Sequence, residues 1–284
     1  MRFLLLTLQR LAIFGLGALA VWLIVYVFNW ADSDLPTILA LAITYGIGAY
    51  VILPYAVRMG LKIQLRKHVP RYTVTGDGLP GDPVNLTLIG TEDELRAAFA
   101  AAGWHEADPL GLTSSLRMAQ AFLFNRPYPK APFSTLFLFG RGQDFGFQKP
   151  IGDSPRRRHH VRFWAKSLAE VTEAEAELTT PEFWLNTDRP KPGAELLWIG
   201  AGTKDTGFSF TKLTFQVTHA TDSDTNMERD FIMAELKQAK AIDRITLYDA
   251  GDKLETGTVN HYVTDGDVAL ANLSKRALDA VASA

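Results

Sequence analysis

LAIFGLGALAVWLIVYVFNW at 11–30 and LPTILALAITYGIGAYVILPYAV at 35–57 contain no charged side chain. Each is as long as a helix needs to be, about 20 residues, to cross the roughly 30 Å hydrocarbon layer of a membrane. Only Ala31, Asp32, Ser33 and Asp34 separate the runs, so they are expected as antiparallel neighbours in a transmembrane hairpin. The spacing Ala42-x-x-x-Gly46 offers small residues through which the backbones can approach. Arg2 and Arg10 precede the hairpin, and Arg58, Lys62, Arg66, Lys67 and Arg71 follow it, whereas the tight loop carries only acids. The positive-inside rule then places both termini and the rest of the chain in the cytoplasm, with the hairpin in a bacterial inner membrane. Two alternatives stand beside this reading. The first run can be a cleaved signal peptide, although such cores are usually shorter, or both runs can be buried core helices, which seldom avoid charge for so long.

Working outward, residues 1–71 form the anchor. The bases of 58–71 either meet anionic headgroups, at about 1 kcal/mol each, or serve only to set topology. Thr75-Gly76-Asp77-Gly78-Leu79-Pro80-Gly81-Asp82-Pro83 concentrates turn residues, which makes 72–82 the expected linker. Residues 83–284 then form one domain of roughly 200 residues, large enough to bury about 70% of its unfolded surface. The 47% apolar content is therefore an average over two solvents, bilayer and water. There is no cysteine, which excludes thiolate nucleophiles, zinc knuckles and iron–sulfur clusters and suits a reducing compartment. A net charge of −2 gives no global attraction to nucleic acid, and none is expected as a partner.

Within the domain, 84–89 reads as a strand and Thr91 with Glu94 as a capping box opening a helix. A second helix is expected over 114–124, with Leu116, Ala119, Gln120 and Leu123 as its inward stripe. Extended segments follow at 136–139, 145–148, 157–164, 196–201 and 212–218, with an exposed Glu-rich excursion at 170–177. Another capping box, Thr225 to Glu228, opens a helix to about Lys240 with Phe231, Ala234, Glu235 and Gln238 along one side. Strand-like pieces at 244–248 and 268–273 complete the order. With few helices between strands, this predicts an α+β fold with a mainly antiparallel sheet.

The candidate chemistry gathers on strands. Alternation over Arg158-His159-His160-Val161-Arg162-Phe163-Trp164 sends His159 inward with Val161 and Phe163, and puts Arg158, His160, Arg162 and Trp164 on the other face. That face is either a substrate cradle for phosphate or carboxylate, since guanidinium pairs bidentately with such groups, or a solvated basic edge. His219 ends its strand on an apolar face, and Asp205 shares the face of Ile199 and Ala201. If these strands are neighbours, His159 or His160, His219 and Asp205 can converge as catalytic acid/base groups, with Asp222 beside them. His219 and Asp222 are also candidate ligands for a divalent metal. The plainer roles are a core histidine for His159, helix-cap acceptors for Asp222 and Asp224, and a turn residue for Asp205. Gly200-Ala201-Gly202-Thr203-Lys204 lacks the spacing of a P-loop, and there is neither a G-x-S-x-G elbow nor an H-E-x-x-H helix.

Asp82-Pro83-Val84-Asn85-Leu86, Arg126-Pro127-Tyr128-Pro129, Leu138 to Asp144, Ser154 to Arg162, Trp198 to Asp205, Thr218-His219, Glu228-Arg229-Asp230 and Thr264-Asp265-Gly266, in this order, resemble the LssY C-terminal domain family. The resemblance implies a domain of poorly defined function, often joined in longer proteins to membrane modules of the phosphatidic-acid phosphatase and DedA types. It brings no agreed catalytic residues, and the signatures of those phosphatases are absent here. That setting implies lipids or lipid-linked phosphates as ligands. Two functions remain open: a binding or regulatory module for anionic lipid-like or envelope-associated ligands or a membrane protein partner, and a membrane-tethered hydrolase or transferase using a His/Asp site on a phosphate- or acyl-bearing lipid-like substrate.

Overall fold

The structure, a computed structural model, describes residues 2–64, 70–124, 126–152, 157–167, 193–210, 217–250 and 262–275. Helix α1 (Arg2–Asp34) is followed by a rod made of α2 (Thr37–Ile47), a π-helical turn (Gly48–Ile52) and α3 (Leu53–Gln64). The stretches Leu6–Asp34 and Thr37–Gln64 are long and apolar enough to cross a membrane. Large apolar side chains such as Phe14, Trp22, Trp30 and Ile38 face outward from them. Ala20 and Ala31 of α1 and Ala40, Thr44 and Gly48 of the rod are buried, and a Cβ on Gly48 would stand 3.4 Å from Ile24. The close seam of the rod is therefore Ala40-x-x-x-Thr44-x-x-x-Gly48, not the expected Ala42-x-x-x-Gly46. Two residues amount to about 200° of helix rotation, and a Cβ on Gly46 would meet nothing.

The segment expected as a linker is folded. Strands β1 (Tyr72–Val74) and β2 (Pro80–Pro83) form a hairpin in a four-stranded sheet ordered β2-β1-β5-β6, with β5 at Phe137–Leu138 and β6 at Arg141–Gly142. Gly78 takes the left-handed turn position at φ +85°, and the Leu79 N–H donates to the Thr75 hydroxyl. Pro80 and Pro83 are tolerated because β2 is an edge strand, where missing donors break no ladder. The turn residues in this segment mark a hairpin inside the domain.

The main sheet contains β3 (Leu86–Gly90), β4 (His105–Glu106), β7 (Phe145–Pro150), β8 (Arg158–Ser167), β9 (Leu196–Phe210), β10 (Val217–Thr221), β11 (Thr246–Asp249) and β12 (Asp267–Asn272). Its order is β11-β12-β3-β9-β8-β7-β4, with β10 also against β9. The pairing is antiparallel except between β12 and β3, so the domain is a mixed α+β unit with a mainly antiparallel sheet. On the side of β9 that faces β3 and β10, Asn85 fills the gap between those two strands. Its amide donates 2.9 Å to the Gly202 carbonyl and accepts 2.9 Å from the Gly202 N–H, so a side chain imitates a backbone ladder.

Three helices accompany the sheet: α4 (Glu92–Ala101), α5 (Leu112–Leu123) and α6 (Thr225–Gln238). The Thr91–Glu94 capping box is present. The second expected box is not, because Asp224 caps α6 by accepting from Asn226 and Met227. The buried side of α6 comprises Thr225, Glu228, Arg229, Ile232, Met233 and Leu236, one position round from the expected stripe. Helix α5 buries Ala121, while Leu116 and Leu123 are exposed. One face of the main sheet packs with α4 and α6 around Phe99, Phe147, Phe163 and Trp198, and the other carries Trp164, Ile199 and Ala201 against Leu136 and Leu138 of the small-sheet region. The expected 170–177 excursion and residues 212–216 lie outside the described residues.

Candidate functional site

Strand β8 lies between β7 and β9, so it has no solvated edge. Its alternation is as expected, but both faces are covered. Arg158, His160, Arg162 and Trp164 are at most 6% exposed, which rules out the solvated basic strand. Opposite them on β9 stand Asp205, Thr203, Ala201 and Ile199 in register. Cross-strand partners share a face, which fixes Asp205 on the His160 side of the sheet.

Two carboxylates and two guanidiniums meet around one imidazole. Arg158 Nε donates to Asp205 Oδ2 at 2.8 Å and its Nη1 to Gln148 Oε1 at 2.6 Å. Arg162 Nη1 donates to Asp82 Oδ2 at 2.5 Å and lies 2.8 Å from His160 Nε2. Guanidinium nitrogens only donate, so Nε2 is the acceptor and the ring proton sits on Nδ1, 3.3 Å from Asp205 Oδ1. The Thr203 hydroxyl also reaches Nε2, at 2.8 Å. Beyond Asp82, Tyr262 donates to Oδ1 at 2.9 Å and receives a hydrogen bond from Thr221. The Phe133 ring closes the cluster, with the Arg158 and Arg162 guanidinium carbons 4.8 and 4.9 Å from its centroid. Gly146 gives that ring room, because a Cβ there would lie 2.2 Å from it.

The electrostatics follow from this packing. Burial disfavours ionised Asp82, but the Arg162 charge, with the hydrogen bond that Tyr262 donates, overcomes it and holds the carboxyl at about 2. Burial also lowers Arg158, with Asp205 acting against that effect. The Tyr262 hydroxyl is pushed well above its ordinary value by burial and by the Asp82 charge. The cluster therefore keeps Asp82 ionised inside the protein, and its guanidiniums already hold carboxylates.

The structure brings together Arg158, His160, Arg162 and Asp205 and sends His159 to the helical face. There, His159 Nδ1 is 2.8 Å from Glu228 Oε2 and its ring stacks on Phe231 at 4.1 Å. Convergence of His159 with Asp205 does not occur, because the sheet lies between them. Nor is Asp205 a turn residue, since it sits inside β9. Asp222 is part-exposed, 3.8 Å from Lys204, and accepts from the Asp224 N–H. The backbone of His219 pairs with Phe208, and its side chain lies outside the described residues. Trp164 is a core residue whose Nε1 donates to the Arg141 carbonyl at 3.3 Å. Among the described residues no group of three or more His, Asp and Glu stands where a metal ion could be held.

Sequence reasoning missed Asp82, Phe133, Gln148, Thr203, Thr221 and Tyr262. Asp82 stands in a turn-rich segment and in a stretch that carries the family resemblance, neither of which assigns it a partner, and nothing local marks Tyr262. In the comparisons with known proteins, the family model described as LssY C-terminus matches residues 66–268. No curated protein and no solved structure matches the chain.

Proposed function

The chain belongs to the LssY C-terminus family, and on that premise we propose that it is a membrane-anchored binding or regulatory module for an anionic, lipid-like ligand. The helical hairpin holds it in the membrane and the α+β domain lies on the cytoplasmic side. One observation carries the non-catalytic reading: both guanidiniums of the central cluster are buried against carboxylates, Arg158 on Asp205 and Arg162 on Asp82. A substrate anion would have to displace an internal carboxylate from each. The cluster instead supports a clamp. It ties β2, beside the anchor, to β8 and β9 of the main sheet, and through Tyr262 to the C-terminal part of the chain.

A hydrolase or transferase remains the second reading because Asp205, His160 and Thr203 stand in acid–base–hydroxyl order, at 3.3 and 2.8 Å. Against it, Arg162 competes for the imidazole lone pair that would take the Thr203 proton, and Thr203 is fully buried. The two readings separate on His160→Gln in the full chain, assayed on phosphate-ester and acyl-ester lipids. The clamp predicts no His160-dependent turnover and a stability loss of about 1–3 kcal/mol from buried groups left unpaired. Turnover by the wild type that disappears in a well-folded His160→Gln protein would establish the enzyme.

A further inference from the structure

A groove of about 910 Å³ runs between the helical hairpin and the small sheet, near the upper end of the roughly 300–1,000 Å³ typical of ligand sites. Its walls are Ile13, Leu16 and Ala20 of α1 and Val57 and Leu61 of α3, with Val74 of β1 across from them. The antiparallel helices put Ile13 and Leu61 toward the same end, the end at which both leave the apolar stretch. Gln64 and the exposed Arg71 also line the groove, so a mostly apolar trough carries one base. The β1–β2 turn approaches the opposite wall, where a Cβ on Gly78 would stand 3.4 Å from Val57.

We infer that this groove holds an acyl chain of an anionic glycerophospholipid drawn from the cytoplasmic leaflet, with the phosphate toward Arg71. The inference rests on the anchored-module reading above and names its ligand and its site. Three features select this occupant. Two walls belong to helices whose surroundings are hydrocarbon, so an acyl chain enters without crossing water. The lining holds one base, Arg71, and no acid, which suits a phosphate and not an ammonium group. The far wall is the hairpin whose strand β2 carries Asp82, so an occupant touches the element that the central clamp holds.

Gly17 and Gly60 line the groove, and a Cβ on either would meet no atom within 4 Å. A phenylalanine at either position projects into the trough. Gly46 is equally open but lies outside the groove, which makes Gly46→Phe the control. The full chain, purified in detergent with equal palmitoyl-oleoyl phosphatidylglycerol and phosphatidylcholine, is examined by native mass spectrometry. The expected result is one retained phosphatidylglycerol in the wild type and in Gly46→Phe, lost in Gly60→Phe and Gly17→Phe. In Arg71→Gln, lipid is retained but the preference for phosphatidylglycerol falls about fivefold, the effect of one base near a phosphate. Equal retention in the groove variants overturns the groove while leaving the lipid-binding module standing. No preference for phosphatidylglycerol in the wild type overturns both. A protein dimer that Gly60→Phe abolishes overturns the inference in favour of a second copy of the chain.

Discussion

At the scale of single residues, the decisive contact is Asp82 on Arg162. The Asp82 carboxyl is held at about 2 against an ordinary 3.8, a difference worth roughly 2 kcal/mol. A depressed folded value means that the unfolded chain binds the proton first as pH falls. The stabilisation, roughly 2 kcal/mol, is therefore fully present above about pH 4 and lost as pH falls toward 2. Asp82→Asn should flatten this acid limb in unfolding measurements made from pH 6 downward; an unchanged limb would show that other carboxylates produce it. The β8 half of the cluster was legible, because period-two alternation alone puts Arg158, His160 and Arg162 on one face. The Asp82 half was not, since the carboxylate lies 80 residues from Arg162 and the Tyr262 hydroxyl 180 residues from Asp82. No local pattern encodes such a meeting.

At the scale of elements, Gly200 and Gly202 show how composition misleads. The segment expected to be extended over 196–201 runs on to Phe210, so both glycines lie in the interior of β9, where the missing side chains make room for the core. A Cβ on Gly200 would stand 2.3 Å from Leu86 and 2.7 Å from Phe163, and one on Gly202 would stand 2.5 Å from Ile232. Gly200→Ala should therefore overpack the sheet–helix core and cost about 1–3 kcal/mol. Denaturant titration checks this, and a neutral result would mean that Leu86 can yield. The Pro and Gly residues of 75–83 misled in the same way, because turn chemistry does not distinguish a linker from a tight hairpin. Where a signal was specific it held: Thr91 with Glu94 forms its box. Where a competing acid stood one position earlier, as Asp224 does before Thr225, the structure uses that acid as the cap and leaves Glu228 for His159.

At the scale of the whole molecule, a helical hairpin is joined to a three-layer domain whose middle layer is the main sheet and whose outer layers are helices on one side and the small sheet on the other. The hairpin was the most legible part, because the length and charge-free character of an apolar run are local properties. The layering was not, because the covered second face of β8 depends on strands brought from 72–83 and 137–142. The base-rich flanks of the hairpin predict that green fluorescent protein fused after Arg71 is fluorescent and alkaline phosphatase fused there is inactive; active phosphatase would place the domain on the opposite side. The proposed clamp joins the small sheet to the main sheet through the buried cluster. A double-mutant cycle on Asp82→Asn and Arg162→Met, with unfolding of the full chain followed in lipid nanodiscs, tests it most directly. Each single variant is expected to lose about 3–5 kcal/mol, with a coupling of about 2 kcal/mol or more and partial recovery in the double variant. Additive losses, with coupling below about 0.5 kcal/mol, would contradict the clamp.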